Sequence, residues 1–302
     1  MRFRLAGILS VLAILTLGRV EVHAAVKVLR INPQQTDPAI ELVHGPHIAL
    51  YDPQVKSSHR LLVFFSGTHG KAEGTLAIDK AFAKWGYHAI GLDYEDNVVA
   101  VTCAHSNDSD CFDHYRDAIV TGSPVSGKIS LNRANSILNR LQKLLLYLAQ
   151  QDPDGGWGEF IADGKPDWSR IVVAGHSQGS GHAAYIGKLF QVDKVLMFSG
   201  PQDYLDDLHE PAPWLSRPSA TPPSRYFAFL NKNDPFNVHH QIANCKALMR
   251  TKNPKTLMVE PEQAIQGNYR ILINDEHRNP HASTTFPEFE NVWEFMATAA
   301  VK

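Results

Sequence analysis

Seven short runs rich in β-branched and aromatic residues recur along this chain, and long helical patterns separate them. The runs cover residues 47–52 (HIALYD), 60–67 (RLLVFFSG), 88–94 (HAIGLDY), 170–175 (RIVVAG), 194–200 (KVLMFSG), 225–231 (RYFAFLN) and 269–274 (YRILIN). Several are apolar throughout instead of alternating, which suits strands covered on both faces of a parallel sheet. Helical periodicity runs over 73–86, closing at Gly86, over 132–151, stopping before Asp152-Pro153, and over 284–300. Strands alternating with helices predict an α/β chain with a mostly parallel, doubly wound sheet and helices on both faces. Two segments interrupt the rhythm, at about 95–130 and 201–224, the second rich in Pro and carrying Trp214. Both follow expected strands, so both belong at the carboxyl edge of the sheet, where open α/β folds bind ligands.

The N-terminus stands apart. Arg2 and Arg4 precede the apolar run 5–18 (LAGILSVLAILTLG), and a polar stretch then ends in VHAA. This is the order of a secretory signal peptide, with cleavage placed after Ala24; the apolar run is short for a bilayer span. The expectation is a leader over 1–24, one domain over 25–302, and a secreted or periplasmic mature form. Losing Arg2, Arg4, Arg19 and Glu21 takes Lys+Arg from 29 to 26 and Asp+Glu from 31 to 30, a net charge of −4. A mildly acidic surface gives no electrostatic reason to bind nucleic acid or an anionic membrane, and points to a small molecule or an uncharged polymer as partner. Export also permits disulfides. Cys103 and Cys111 bracket the polar stretch 104–110 and make the natural pair, restraining that loop by ~2–3 kcal/mol on the chain-entropy model. No second Cys or His pair lies close by, which disfavours metal ligation. Cys245 reads as a buried small hydrophobe.

Residues 169–187, SRIVVAGHSQGSGHAAYIG, join a strand run to a helix through a cluster of Gly and Ser. Gly179 to Ala184 fit G-x-G-x-x-A, but a dinucleotide loop also needs an acid about 20 residues on, and that region reads MFSGP. A second near miss, residues 122–130 (GSPVSGKIS), puts Ile129 where a phosphate loop needs a hydroxyl, and no strand precedes it. Gly175-His176-Ser177-Gln178-Gly179 is G-x-S-x-G in the strand-to-helix context that a nucleophile turn requires. The serine there takes a strained conformation that crowds the positions two before and two after, and glycine relieves the crowding. The helix behind Ser177 adds a dipole that favours a developing oxyanion.

A serine hydroxyl needs a base and an orienting acid, and on such folds they follow in the order Ser, acid, His. Asp234 follows the run 225–231, and His277 and His281 follow the run 269–274. His281 is the preferred base because it stands just before the last helix, with Ser283 or Thr284 as the expected cap. His277, three residues after the strand, is the alternative base, and Asp203, after 194–200, the alternative acid. The oxyanion donors expected are the backbone N–H of Gln178 and that of Thr68, in the loop FFSGTHG. His69, His176, His182, His239 and His240 read as packing or hydrogen-bonding residues, so no metal site is expected.

From about residue 60 to 283 the chain resembles the α/β-hydrolase superfamily. More narrowly, residues 168–187 with their GHSQG turn, 197–203 (MFSGPQD) and the Cys103/Cys111 loop are similar to a group of secreted serine hydrolases of this superfamily. The resemblance implies a triad of Ser177, Asp234 and His281 with no cofactor. The oxyanion loop departs from the HGGG of many lipases, reading Ser66-Gly67-Thr68-His69-Gly70, which argues against a lipase. The function expected is an exported serine hydrolase, foremost a carboxylic-ester hydrolase acting on a small-molecule or polymer-linked ester. Peptidase or acyltransferase chemistry on the same triad, and a binding module without turnover, are the alternatives.

Overall fold

The computed structural model describes residues 26–123 and 127–301; the leader read in residues 1–24 lies outside them. All seven expected runs form strands of one nine-stranded sheet. Its members are β1 (Lys27–Ile31), β2 (His47–Tyr51), β3 (Leu61–Phe65), β4 (His88–Gly91), β5 (Ile171–His176), β6 (Lys194–Phe198), β7 (Tyr226–Asn231), β8 (Thr256–Met258) and β9 (Ile271–Asn274). Across the sheet they lie in the order β1-β2-β4-β3-β5-β6-β7-β9-β8. Only β2 is reversed: it runs antiparallel to both β1 and β4, while every other neighbouring pair is parallel. β1 and β8, the two strands not expected, are the two edges. Seven of their eight residues are partly or fully exposed, so neither KVLRI nor TLM carries the unbroken apolar signature of a central strand.

The inner strands feed two separate cores by simple alternation. On β3, Leu61, Val63 and Phe65 join one cluster with Val173, Val195 and Met197, while Leu62 and Phe64 join the other with Val172, Leu196 and Phe198. Burying both faces needs helices on both. The first cluster is closed by α2 (Cys111–Thr121), α3 (Ile137–Gln151), α4 (Gln178–Leu189) and α5 (Val238–Met249). The second is closed by α1 (Leu76–Lys84) and α6 (Glu290–Thr298). Strand order, one reversed strand and helices on both faces make this the α/β-hydrolase fold. Among the described residues, no helix is long and apolar enough to cross a membrane.

Two details differ from expectation. The 95–130 insertion, read as irregular, contains α2, whose buried face comprises Phe112, Tyr115, Arg116 and Ile119. An arginine in the middle of that face breaks the apolar stripe that would have marked the helix. The last helix starts later than the expected cap at Ser283 or Thr284. Two short 3₁₀ turns, Ser283–Thr285 and Pro287–Phe289, come first, and α6 begins at Glu290. Pro287 disfavours helical geometry at Phe286, which is extended at φ −76°, ψ 135°. Ser283 instead donates to the Pro280 carbonyl, and Thr284 shares a hydrogen bond with Ser199.

A disulfide joins Cys103 and Cys111. The Asp206 N–H donates to the Ala104 carbonyl at 2.8 Å, so the second insertion is tied to the loop that the disulfide closes. Both insertions therefore meet over the carboxyl edge of the sheet.

Candidate active site

Ser177 stands between β5 and α4 at φ 54°, ψ −118°, a conformation that a non-glycine residue holds only where its surroundings enforce it. The enforcement is visible. Its backbone N–H donates to the Phe198 carbonyl at 2.8 Å. A Cβ on Gly175 would lie 2.3 Å from the backbone of Gly179, and one on Gly179 would lie 2.2 Å from the Phe65 carbonyl oxygen. Nothing larger than glycine fits either place, so strand and helix close tightly around the serine. The part-exposed Ser177 faces a cleft of about 330 Å³ that His281, Gln178, Thr68 and Phe236 also line.

His281 reaches that cleft from the loop after β9, and Asp234 from the turn after β7. His281 Nδ1 lies 2.9 and 3.0 Å from the two Asp234 carboxylate oxygens. With Nδ1–H donated to the carboxylate, Nε2 is left as an acceptor. Burial works against the charged form of Asp234. The His281 hydrogen bond and charge, with help from Gln241 and the Phe236 N–H, outweigh it and hold the carboxyl below its ordinary range. The His281 backbone is pinned as well, its carbonyl accepting from His176 Nε2 at 2.8 Å and from Ser199 Oγ at 2.7 Å. Burial, and then the neighbouring His281, push the His176 pKa down to about 4, which keeps that imidazole neutral.

Opposite them, the loop after β3 lies against the Ser177 turn, where a Cβ on Gly67 would come within 3.2 Å of Ser177 Cβ. Thr68 Oγ1 donates to Gln178 Oε1 at 2.7 Å, which latches this loop to the start of α4. The Gln178 N–H is one of the donors a helix N-terminus leaves unpaired, and no side chain caps it. The Thr68 N–H has no backbone acceptor among the described residues.

The two alternatives sit elsewhere. His277 is 79% exposed, 3.7 Å from Asp275. Asp203 is sealed off: one carboxylate oxygen accepts from Arg116 Nη2 at 2.6 Å, and the other from Arg116 Nε and the Trp214 indole, each at 3.0 Å. The same guanidinium donates to the Gln178 carbonyl at 2.8 Å, under the first turn of α4. A Cβ on Gly181 would lie 2.2 Å from it, so the second glycine of GSG makes room for Arg116. His182 packs edge-on to Tyr94 and parallel to Tyr115 in the core, and among the described residues no three His, Cys, Asp or Glu side chains are arranged so that they could hold a metal ion.

Three supporting residues escape sequence reading. Arg116 is one. The others are Asn231 and Asn274, fully buried at the ends of β7 and β9. Asn231 Nδ2 donates to Asn274 Oδ1 at 2.5 Å, to the Glu276 carbonyl and to Ser283 Oγ, tying together the loops that carry Asp234 and His281. Their signal is an asparagine closing an otherwise apolar run, in YFAFLN and again in ILIN.

No protein-family model matches the chain, and no curated protein matches it in sequence. Solved structures do align over most of its length. TT1662 from Thermus thermophilus has a TM-score of 0.45 at 16% identity, covering 92% of this chain and 100% of that one. A protein assigned as a dienelactone hydrolase from Klebsiella pneumoniae subsp. pneumoniae has a TM-score of 0.44 at 10% identity, covering 91% and 100%. A bacterial heroin esterase has a TM-score of 0.39 at 13% identity, covering 92% and 79%. Similarity at this depth carries no information about substrate.

Proposed function

We propose that the chain is an exported serine hydrolase and, within that class, a carboxylic-ester hydrolase. Ser177 Oγ attacks the acyl carbon while its proton passes to His281 Nε2. The carbonyl electron pair moves onto oxygen, which faces the N–H groups of Gln178 and Thr68; each such donor is typically worth ~2.7–4 kcal/mol in the transition state. Collapse breaks the acyl–oxygen bond, and the alcohol leaves with the proton from His281. Water, activated by the same imidazole, then hydrolyses the acyl-enzyme and restores the Ser177 hydroxyl. Asp234 holds the ring in the required tautomer and stabilises the imidazolium as it forms.

One observation carries this reading: a serine held at positive φ shares a cleft with an imidazole whose far nitrogen rests on a buried carboxylate. Peptidase and acyltransferase chemistry would use the same three side chains and differ only in the leaving or accepting group. A binding module without turnover would have no use for the imidazole–carboxylate pair. Export rests on the leader and implies a mature chain that begins at residue 25, which N-terminal sequencing of the secreted protein checks. A fluorophosphonate probe tests the chemistry. The folded protein should be labelled at Ser177 and lose labelling as Ser177→Ala. A folded, unlabelled protein that turns over no p-nitrophenyl ester overturns the proposal.

A further inference from the structure

The Ser177 cleft does not end at His281. Past Val101, Gln202 and Phe236, which line both spaces, it continues into a groove of about 620 Å³. The two spaces differ in chemistry. Around Ser177 the lip is apolar, made by Ala100 with the exposed Val99, Val101 and Phe236. The groove beyond is lined by His105, Tyr204, Asp206, His209 and His240. Asp206 stands between two imidazoles, with Oδ1 3.4 Å from His240 Nδ1 and Oδ2 3.6 Å from His105 Nε2. His105 Nδ1 lies 2.9 Å from Asp207 Oδ1. The Tyr204 ring stacks on His240 at 3.7 Å between centroids and 10° between planes, which fixes that imidazole. The backbone is fixed too, since the Asp206 N–H is bonded to Ala104 beside the disulfide.

Such a surface sets carboxylate acceptors and imidazole donors side by side. A hydrocarbon group placed there would strip water from them and return no hydrogen bond. An anion would face the Asp206 carboxylate. A hydroxyl both donates and accepts, so a ligand carrying several of them satisfies both kinds of group at once. We propose that this groove is the leaving-group subsite of the hydrolase reading above, on which it rests, and that it takes a neutral glycosyl unit esterified through one of its hydroxyls. The acyl group then lies on the apolar lip at Ser177. The bond broken joins the acyl carbon to the sugar oxygen; the sugar leaves with a proton from His281, and water supplies the hydroxyl of the released acid.

The mature protein is assayed on p-nitrophenyl acetate, ethyl acetate, acetylcholine and an acetylated xylo-oligosaccharide. The expected result is a kcat/KM at least tenfold higher on the acetylated sugar than on ethyl acetate or acetylcholine. Asp206→Ala should lower kcat/KM on the sugar ester by a factor at least ten greater than on p-nitrophenyl acetate, chiefly through KM. His240→Gln, which keeps a polar side chain of similar reach, should shift the same ratio in the same direction if Asp206→Ala folds poorly. Turnover of p-nitrophenyl acetate with no sugar preference, equal losses on both substrates in both variants, or a preference for acetylcholine overturns the groove and leaves the hydrolase reading standing. No turnover of any ester, together with no probe labelling, sinks both.

Discussion

Asp203 and Asp234 start from equal positions. Each follows a central strand, β6 or β7, on the same edge of the sheet, and each is nearly or fully buried. Their partners separate them. Asp203 has both oxygens filled by a guanidinium and an indole N–H, all inside the core. Asp234 holds one imidazole whose other nitrogen is left to the Ser177 cleft. A buried carboxylate facing a guanidinium is held in place by several donors at once. One facing an imidazole is bonded to a ring whose second nitrogen is free to take part in other contacts. The difference between the regions lies less in the acid than in what it is tied to.

The largest effects test the second region. His281→Ala and Asp234→Asn should each lower kcat on p-nitrophenyl esters by about 10⁴-fold or more, on the order of 5.5 kcal/mol of barrier. Urea midpoints should stay close to those of the parent. The first region should respond the other way. Asp203→Ala leaves Arg116 buried without a counter-charge, a loss of about 3–5 kcal/mol in unfolding free energy. The folded fraction should keep far more of its kcat than Asp234→Asn does. Replacing both partners, as Arg116→Met with Asp203→Leu, should recover much of that stability. If Asp203→Ala removes turnover at unchanged stability while Asp234→Asn does not, the two acids have been assigned the wrong way round.

A third buried acid extends the comparison to a carboxyl with neither cation nor imidazole. Asp79 on α1 is fully buried, and among the described residues its one hydrogen-bond partner is Thr75 Oγ1 at 2.6 Å. Burial drives its pKa up to about 7, against a smaller opposing pull from that hydroxyl. Thr75 Oγ1 donates to Asp79 Oδ2 and lies 2.7 Å from the Ala72 carbonyl as well, so its one O–H is divided between two acceptors and pulls only weakly against the proton that burial leaves on Asp79. The folded state thus holds this proton more tightly than the unfolded chain, whose Asp titrates near 3.8. The sign follows: stability is highest below about pH 4 for this group, falls as pH rises toward 7, and is fully reduced above that. Asp79→Asn supplies an N–H donor in place of the proton and should remove this slope. Urea midpoints at pH 5 and pH 8 read it, with a gain at pH 8 of up to roughly 4 kcal/mol.

Legibility in the sequence tracked burial. Every central strand was readable because a strand covered on both faces must be apolar throughout; the edge strands β1 and β8, partly wet, were not. The residues proposed for the site stand out where chemistry demands a residue type at a fixed spacing, as in GHSQG, or at a strand end, as for Asp234 and His281. The candidate site was unreadable where a polar residue serves another. Arg116 stands in a charged stretch of the sequence, yet it lies buried under the first turn of α4, in space opened by Gly181. Nothing local to residue 116 encodes that, since both of its acceptors lie more than 60 residues away.

The smallest effect belongs to the second histidine. His277 and His281 are four residues apart after the same strand, and as residue types neither is better suited to be a base. Position separates them. The His281 side chain is 17% exposed, bonded to a buried carboxylate and wedged between the rings of His176 and Phe236 at 4.8 and 4.6 Å. His277 is 79% exposed beside Asp275, itself partly exposed. An exposed ion pair of this kind is worth ~0–1 kcal/mol. His277→Ala should therefore change kcat by less than about twofold and stability within roughly 0.5 kcal/mol. Steady-state kinetics on one p-nitrophenyl ester, run beside His281→Ala, decides it: a loss of several orders of magnitude at His277 would mean that the loop after β9 rearranges on binding substrate, and that the imidazole resting on Asp234 is not the one that takes the Ser177 proton.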